Sequence, residues 1–318
     1  MQERRVEIQS GVVRVVDANP EKSAGLGEVK VSVRAASING ADARIAREEG
    51  QDVATPGIEF AGVISEIGEG VTNWRPGDAV MGLCEGKGQG DSIVVEANLC
   101  LAVPSTLNWV QAGAFCEAFT TAHDALFRQG RLGPGQRLLV HGAAGGVGLA
   151  ALQLGVEAGA QVVASVRNKI LHARVAALVP GVDVIDPGAV PSAGPFDVIL
   201  ELIGASNFPS NITSLATGGR IVVIGRSTGS LIQLDLLDLM SRRGILTGST
   251  LKHRTLSEKS IALNSMAQAV LPRLETGEFR VVIDSVYPLE DAAGAYQHFM
   301  AGGKLGNVVL SMVPSPTL

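Results

Sequence analysis

Residues 137–159 read RLLVHGAAGGVGLAALQLGVEAG, and the fold follows from this stretch. Leu138 to His141 form a short apolar run suited to a buried strand. A loop of small residues runs from Gly142 to Gly148, and Val147, Ala151, Leu152, Leu154 and Val156 then supply the apolar repeat of a helix. Strand, glycine turn and helix in this order make the first βα turn of a dinucleotide-binding sheet, where backbone N–H groups and a helix N-terminus face a pyrophosphate. The strict three-glycine pattern needs glycine at 143, 145 and 148, and the chain carries Ala143, Gly145 and Gly148. The two retained glycines are those needed for close approach of phosphate and for close helix–strand packing. Ala144, Gly145, Gly146 and Val147 are therefore the expected phosphate contacts. A merely structural tight turn is the competing reading, and the strand–helix context speaks against it.

The following strand, QVVAS at 161–165, ends where an NAD enzyme places an acidic residue on the ribose hydroxyls. Here the chain continues Ser165-Val166-Arg167-Asn168-Lys169, without a carboxylate. A carboxylate would repel a 2′-phosphate, whereas the Ser165 hydroxyl and the Arg167 guanidinium can grip one. NADPH is therefore expected over NADH. The alternative, a solvated helix start, leaves cations at a helix N-terminus, where they oppose the macrodipole.

Composition bounds the rest. With 318 residues the chain can hold two domains and a large core. Apolar residues make up 46%, aromatics only 4%, and there are 39 glycines, which suits an α/β protein rich in tight turns. A net charge of −5 without a basic cluster argues against nucleic acid or a membrane surface as partner. Cys84, Cys100 and Cys116 are too few for a disulfide framework, so a reducing, cytoplasmic compartment is expected. MQERRVEIQS has no apolar signal core, and no stretch approaches a membrane span.

Residues 1–122 read as strands and turns: 29–37, 58–68, 78–83 and 92–97 are strand candidates, separated by glycine and proline. Their close spacing implies a small β-barrel-like domain. From 123 to 251 strands alternate with helices, with strand candidates at 137–141, 161–166, 182–186, 196–202, 220–225 and 245–249, the six-strand doubly wound pattern. A helical stretch at 256–274 leads to VVIDSVYPL and NVVLSMV, which return to the style of the first domain. The expected division is therefore 1–122 with 252–318 against 123–251.

SINGAD (37–42), PGIEFAGVISEIGEGV (56–71), WRPGDAVMGL (74–83), CEAFTTAHDAL (116–126), HGAAGGVG (141–148) and GKLGNVVL (303–310) together resemble the medium-chain dehydrogenase/reductase superfamily. The match is to its zinc-free, zeta-crystallin-like quinone oxidoreductase branch. The resemblance implies an α/β chain: a Rossmann doubly wound parallel sheet plus a GroES-like β-barrel catalytic domain, with a nicotinamide in the cleft between them. Zinc-containing relatives carry a cysteine where this chain has Asn39, a histidine where it has Ile58, and a third ligand near Glu117. Neither Asn39 nor Ile58 can serve as a zinc ligand, and the four-cysteine structural lobe is missing, so no metal is expected.

Without a Lewis acid, the accessible chemistry is hydride delivery from NADPH to an acceptor that is already electrophilic, such as a quinone or conjugated enone. The resemblance places Asn39 near the nicotinamide, where its amide could donate to a ribose hydroxyl or to the acceptor oxygen. It places Thr121 against the nicotinamide side of the cofactor, and Ile203, Gly225 and Asn307 along its lining. His123 stands where many relatives have tyrosine and is the candidate proton donor, with a structural histidine as the alternative. His141 reads as structural, and Asp42 and Glu59 as residues that hold loops.

Gln89 and Ser92 fill positions where aromatic hydroxyls are expected, the segment Arg44 to Val53 lacks tyrosine, and Tyr287 and Tyr296 lie near the C-terminus. Neither tyrosine is followed four residues on by lysine, which disfavours a short-chain dehydrogenase. Alternatives are a reductase of enones or enoyl thioesters, for which Lys87 and Arg128 offer little phosphate recognition, and a non-catalytic NADPH-binding sensor. A homodimer through the strand near Ile245 to Thr250 is expected by analogy.

Overall fold

Parallel strands covered on both faces must be apolar nearly throughout, and between 137 and 249 such runs alternate with helical stretches. In the structure, a computed structural model describing residues 2–47 and 52–313, these runs form one six-stranded parallel sheet. Its strands are β8 (Arg137–His141), β9 (Gln161–Ser165), β10 (Val182–Ile185), β11 (Phe196–Glu201), β12 (Leu215–Val223) and β13 (Ile245–Gly248). They lie in the order β10-β9-β8-β11-β12-β13, so the chain reverses direction across the sheet between β8 and β11. The unit that holds them runs from Phe119 to Arg254.

Leu139, Val163, Phe196, Ile199, Phe208, Ile212, Leu215 and Ile221 form one buried cluster of this unit. The helix Gly146–Glu157 packs onto the sheet so closely that a Cβ on Gly155 would sit 2.7 Å from Leu138 Cδ2 and 3.0 Å from Val162 Cγ2. β12 differs from expectation: it begins at Leu215 rather than at 220. Gly218 and Gly219 look like a turn in the sequence, yet the chain enters the sheet before them and shifts register between Phe196 and Val198 of β11. The driving contact is apolar, since Leu215 pairs with Phe196 and both are wholly buried.

The other unit comprises Met1–Ala118 and Thr255–Leu318. Its main sheet contains β3 (Glu28–Ile38), β4 (Glu59–Ile67), β5 (Ala79–Leu83), β6 (Ser92–Glu96), β7 (Cys100–Ala102), β14 (Ile283–Pro288) and β15 (Asn307–Ser311). The order is β14-β15-β3-β4-β5-β7, with β6 also pairing β3. β15 runs antiparallel to β3, pairing Val308 with Ile38 and Leu310 with Ala36, so the tail does complete the first sheet. Val31, Phe60, Ile64, Ile93, Tyr296 and Leu310 belong to its buried core.

A hairpin not foreseen above precedes this sheet: β1 (Glu3–Gln9) pairs β2 (Val12–Ala18) through Ser10 and Gly11, both at positive φ. The left-handed Ser10-Gly11 pair is what a two-residue hairpin demands. Of the polar stretch Arg44 to Val53, residues 48–51 lie outside the described residues.

Candidate functional site

In the Phe119–Arg254 unit, β8 hands its chain to a turn whose shape depends on absent side chains. Gly142 has φ +65, a region that favours glycine, and Gly145 is extended at φ −81, ψ 172 as the cap of the following helix. A Cβ on Gly148 would lie 2.6 Å from both Ala143 Cα and Gly142 O, so the helix seats on the turn only because that atom is missing. A Cβ on Gly145 would meet nothing nearer than Gly142 O at 3.6 Å, so space is left in front of its backbone. Ala144 to Val147 are half-buried, and the first-turn N–H groups of the helix have no carbonyl one turn back to bond. Such a cradle, with the positive end of a 12-residue helix behind it, fits a pyrophosphate.

The cradle continues at the end of β9, where Ala143 N donates to Ser165 O at 3.4 Å. Ser165 is 2% exposed and its Oγ has no hydrogen-bond partner, an orphaned hydroxyl beside the turn. Two residues on, Arg167 is exposed. Ile203 packs its Cδ1 at the α face of Gly142, 2.9 Å from where a Cβ would stand. Gly225, expected along the lining of the cofactor, closes against the Leu202 backbone. A Cβ there would fall 1.9 Å from Leu202 O, so protein backbone, not ligand, fills that space.

Thr121 and His123 lie on the helix Cys116–His123, the threonine buried and the histidine half-buried. His123 meets Phe127 edge-on at 5.0 Å between ring centroids. Burial lowers its pKa below 6.5, against the opposing pull of Asp124, so at neutral pH its imidazole is uncharged. An uncharged ring can donate a hydrogen bond but is a poor acid. His141 is 1% exposed and bonded to Asn211, as a structural histidine is.

In the other unit the candidate residues bind one another. Asn39 caps the short helix Gly40–Ile45, and Asp42 accepts hydrogen bonds from Asn39 N (2.9 Å) and Gly57 N (2.8 Å), tying two loops together. Asn39 Nδ2 donates to Ser37 Oγ (3.0 Å) and to Glu59 Oε1 (2.8 Å). Both amide hydrogens are thus committed inside the unit, which overturns the expectation that Asn39 donates to a ribose hydroxyl or an acceptor oxygen. Its Oδ1 takes the Asp42 backbone N–H in the capping box of the helix, so one lone pair of a carbonyl oxygen, an acceptor, is what the side chain can still offer.

Glu59 also accepts from Ser37 Oγ and, through Oε2, from Glu117 N at 2.9 Å. Complete burial nevertheless pushes its carboxyl up to about 7, with Asn39, Ser37 and the Glu117 N–H pulling the other way and Asp42 adding to the rise. Asn307 is 7% exposed and donates to Val282 O at 3.0 Å.

The positions at which aromatic hydroxyls were expected have other employment. Tyr296 OH donates to buried Gln89 Oε1 at 2.8 Å, Gln89 Nε2 donates to Ser37 O, and Ser92 Oγ donates to Glu3. Lys87 pairs with Glu21 at 3.0 Å. The Cys84 thiol bonds Gly57 O, and burial pushes it far above its ordinary value. Among the described residues no group of three or more His, Cys, Asp or Glu side chains is placed to hold a metal ion. Among the same residues no helix is long and apolar enough to cross a membrane.

One residue that the sequence reading missed stands out. Glu201, at the end of β11, is wholly buried and accepts from Ile203 N (2.7 Å) and Gly204 N (2.8 Å), fixing the loop that carries Ile203. The only sequence signal was a lone carboxylate closing an apolar run.

A doubly wound sheet with a glycine cradle, in a chain whose second unit is built on a mostly antiparallel sheet, defines a nucleotide-dependent oxidoreductase class, and the comparisons with known proteins agree. Residues 25–130 match the family described as alcohol dehydrogenase GroES-like domain, and residues 182–310 the one described as zinc-binding dehydrogenase. The chain is 31% identical to a quinone oxidoreductase of Rattus norvegicus over 80% of its own length and 79% of that protein's. It superposes on a mycobacterial protein complexed with NADPH with a TM-score of 0.86 at 24% identity, covering 97% of this chain and 99% of that one. It shares the fold of CurK enoyl reductase at TM-score 0.85 and 22% identity, over 98% and 100% of the two chains.

The chain belongs to the medium-chain dehydrogenase/reductase superfamily, in its zeta-crystallin-like quinone oxidoreductase branch. It is an NAD(P)-dependent oxidoreductase with a GroES-like unit and a Rossmann unit.

Proposed function

We propose that this protein is a zinc-independent, NADPH-dependent reductase that passes hydride to quinones or comparable conjugated carbonyl acceptors. The observation that carries the reading is the end of β9. Ser165 keeps a buried, unpartnered Oγ there, Arg167 stands exposed two residues on, and no carboxylate lies between Ser165 and Lys169. A hydroxyl and a guanidinium suit a 2′-phosphate, and an acidic residue would repel it.

When bound, the nicotinamide supplies the hydride. The protein's work is to bind and orient. The N–H groups of Ala144 to Val147 hold the pyrophosphate, Ser165 and Arg167 the 2′-phosphate, and Thr121 and Ile203 the nicotinamide end. With its Nδ2 held by Ser37 and Glu59 and one lone pair of its Oδ1 by the Asp42 N–H, Asn39 accepts a ligand hydroxyl on the second Oδ1 lone pair. A quinone or enone spreads its developing charge onto an oxygen that one donor can stabilise, and the neutral N–H of His123 is such a donor. The closing proton comes from solvent, since Tyr296 is tied to Gln89. Asn39 and Ile58 offer a metal no ligand atom of the zinc-binding type, which supports chemistry on acceptors that need no Lewis acid.

A homodimer through β13 fits the same reading. β13 is the outermost strand of its sheet, and the helix before it exposes Leu236, Leu237 and Met240. Three free cysteines suit a reducing cytoplasm.

The test is consumption of NADPH and NADH with 1,4-benzoquinone, 9,10-phenanthrenequinone and a panel of enones. Quinone turnover is expected with NADPH, and Arg167→Ala should weaken NADPH about tenfold while leaving NADH unchanged. Equal loss for both cofactors would remove Arg167 from 2′-phosphate recognition. Tight NADPH binding without turnover on any acceptor would make the protein a sensor, and faster turnover of enones would make it a double-bond reductase. Stoichiometric zinc in the purified protein would overturn the metal-free chemistry.

A further inference from the structure

Glu201 is one end of a buried chain of polar side chains that the proposed chemistry does not use. Its Oε1 accepts from Ile203 N, Gly204 N and, at 3.3 Å, Asn207 Nδ2. Its Oε2 accepts from Asn211 Nδ2 at 2.7 Å, and Asn211 Oδ1 lies 2.7 Å from His141 Nε2. Glu201 and Asn211 are wholly buried and His141 nearly so. Three elements meet here: His141 closes β8 one residue before the glycine turn, Glu201 closes β11, and Asn211 sits in the helix Phe208–Thr213.

Donor and acceptor arithmetic gives this chain a direction. The Glu201 oxygens are surrounded by donors, so Asn211 must present Nδ2 to the carboxylate and Oδ1 to the histidine. A carbonyl oxygen only accepts, so His141 must carry its proton on Nε2. Burial, which lowers the pKa of His141, leaves the ring neutral with Nδ1 bare.

We propose that Glu201, Asn211 and His141 form a single directional hydrogen-bond relay whose polarity is set by the Glu201 carboxylate, and that Glu201 and Asn211 are positioning residues. They lock the Ile203–Gly204 loop to the strand end that opens the glycine turn. The two loops already touch, with Ile203 against Gly142, so a shift of the first is felt by the second. The consequence for cofactor binding rests on the reading given under Proposed function. The direction of the relay does not.

The test uses the full chain labelled with 15N-histidine, which gives five side chains to resolve, together with dinucleotide binding by calorimetry. In the wild type His141 is expected as the neutral Nε2–H tautomer. In Glu201→Gln the new amide keeps Oε1 for the Ile203 and Gly204 N–H groups and turns Nε2 toward Asn211. The Asn211 amide then flips and His141 moves its proton to Nδ1. Asn211→Leu cuts the relay. NADPH Kd should rise at least tenfold in Asn211→Leu and less than threefold in Glu201→Gln, which still anchors the loop.

A wild-type His141 protonated on Nδ1, or an unchanged tautomer in Glu201→Gln, overturns the polarity. Asn211→Leu binding NADPH as the wild type does overturns the positioning. Should Asn211→Leu fail to fold, the wild-type and Glu201→Gln spectra still decide the polarity, and a Glu201→Gln Kd raised tenfold overturns the positioning. A wild type that binds neither NADPH nor NADH defeats the proposed function, and the two spectra then decide the relay alone.

Discussion

The glycine turn of one unit and the Asn39–Glu59 cluster of the other are built by opposite means. The turn is made by leaving atoms out: Gly142 supplies a positive φ, Gly148 lets the helix close on the strand, and Gly145 leaves backbone bare in front of it. The cluster is made by crowding atoms in: a buried carboxylate is held by a hydroxyl, an amide and a backbone N–H. A site of absent side chains has one rigid geometry and no titration. A site of packed polar groups can change its charge and, with it, which atoms face outward.

The comparison can be broken at its most consequential point by pH. The carboxyl of Glu59 is raised from 4.5 to about 7, so between those values the folded protein keeps a proton that the unfolded chain has released. Stability should therefore fall as pH rises from about 4.5 to 7 and level off above, by up to about 3 kcal/mol. Thermal unfolding of wild type and Glu59→Gln at pH 5, 6, 7 and 8 checks this, and an equal slope in both would remove Glu59 as its source.

The turn should respond to size instead. Gly148→Ala drives a Cβ into the backbone of Ala143 and should cost about 2 kcal/mol of stability at any pH. Calorimetric unfolding within error of the wild type would show that helix and turn can separate freely. The smallest effect is the most discriminating. Gly145→Ala meets only ordinary contact within the protein, so the melting temperature should stay put while NADPH affinity falls about tenfold, or about 1.4 kcal/mol. Undiminished affinity would place the phosphates elsewhere.

Much of this was legible in the sequence, for reasons of range. β8, the glycine turn and its helix are local, and Gly145 and Gly148 announce both the bend and the close packing within a dozen residues. The alternation in Val6, Ile8, Val13 and Val15 around Ser10-Gly11 is equally local, a hairpin pattern within the strand-and-turn region. β12 hid because Gly218-Gly219 imitates a turn, and only the contact of Leu215 with Phe196 draws the chain into the sheet early.

The cluster was legible as residues but not as atoms. Asn39 and Glu59 stood in recognisable motifs, yet nothing in a motif says that both hydrogens of an amide point inward. Gln89 and Tyr296 are 207 residues apart, as are His141 and Asn211 by 70, and such pairs leave no periodic trace.

β15 fills the slot between β14 and β3, although 268 residues separate the end of β3 at Ile38 from the start of β15 at Asn307. During synthesis the inserted Rossmann unit can close on itself as soon as its last strand emerges. The amino-terminal sheet waits with the flank of β3 exposed until β15 leaves the ribosome. A chain lacking β15 would thus carry a finished nucleotide unit and, in its other unit, an open seam inviting pairing with whatever strand comes first.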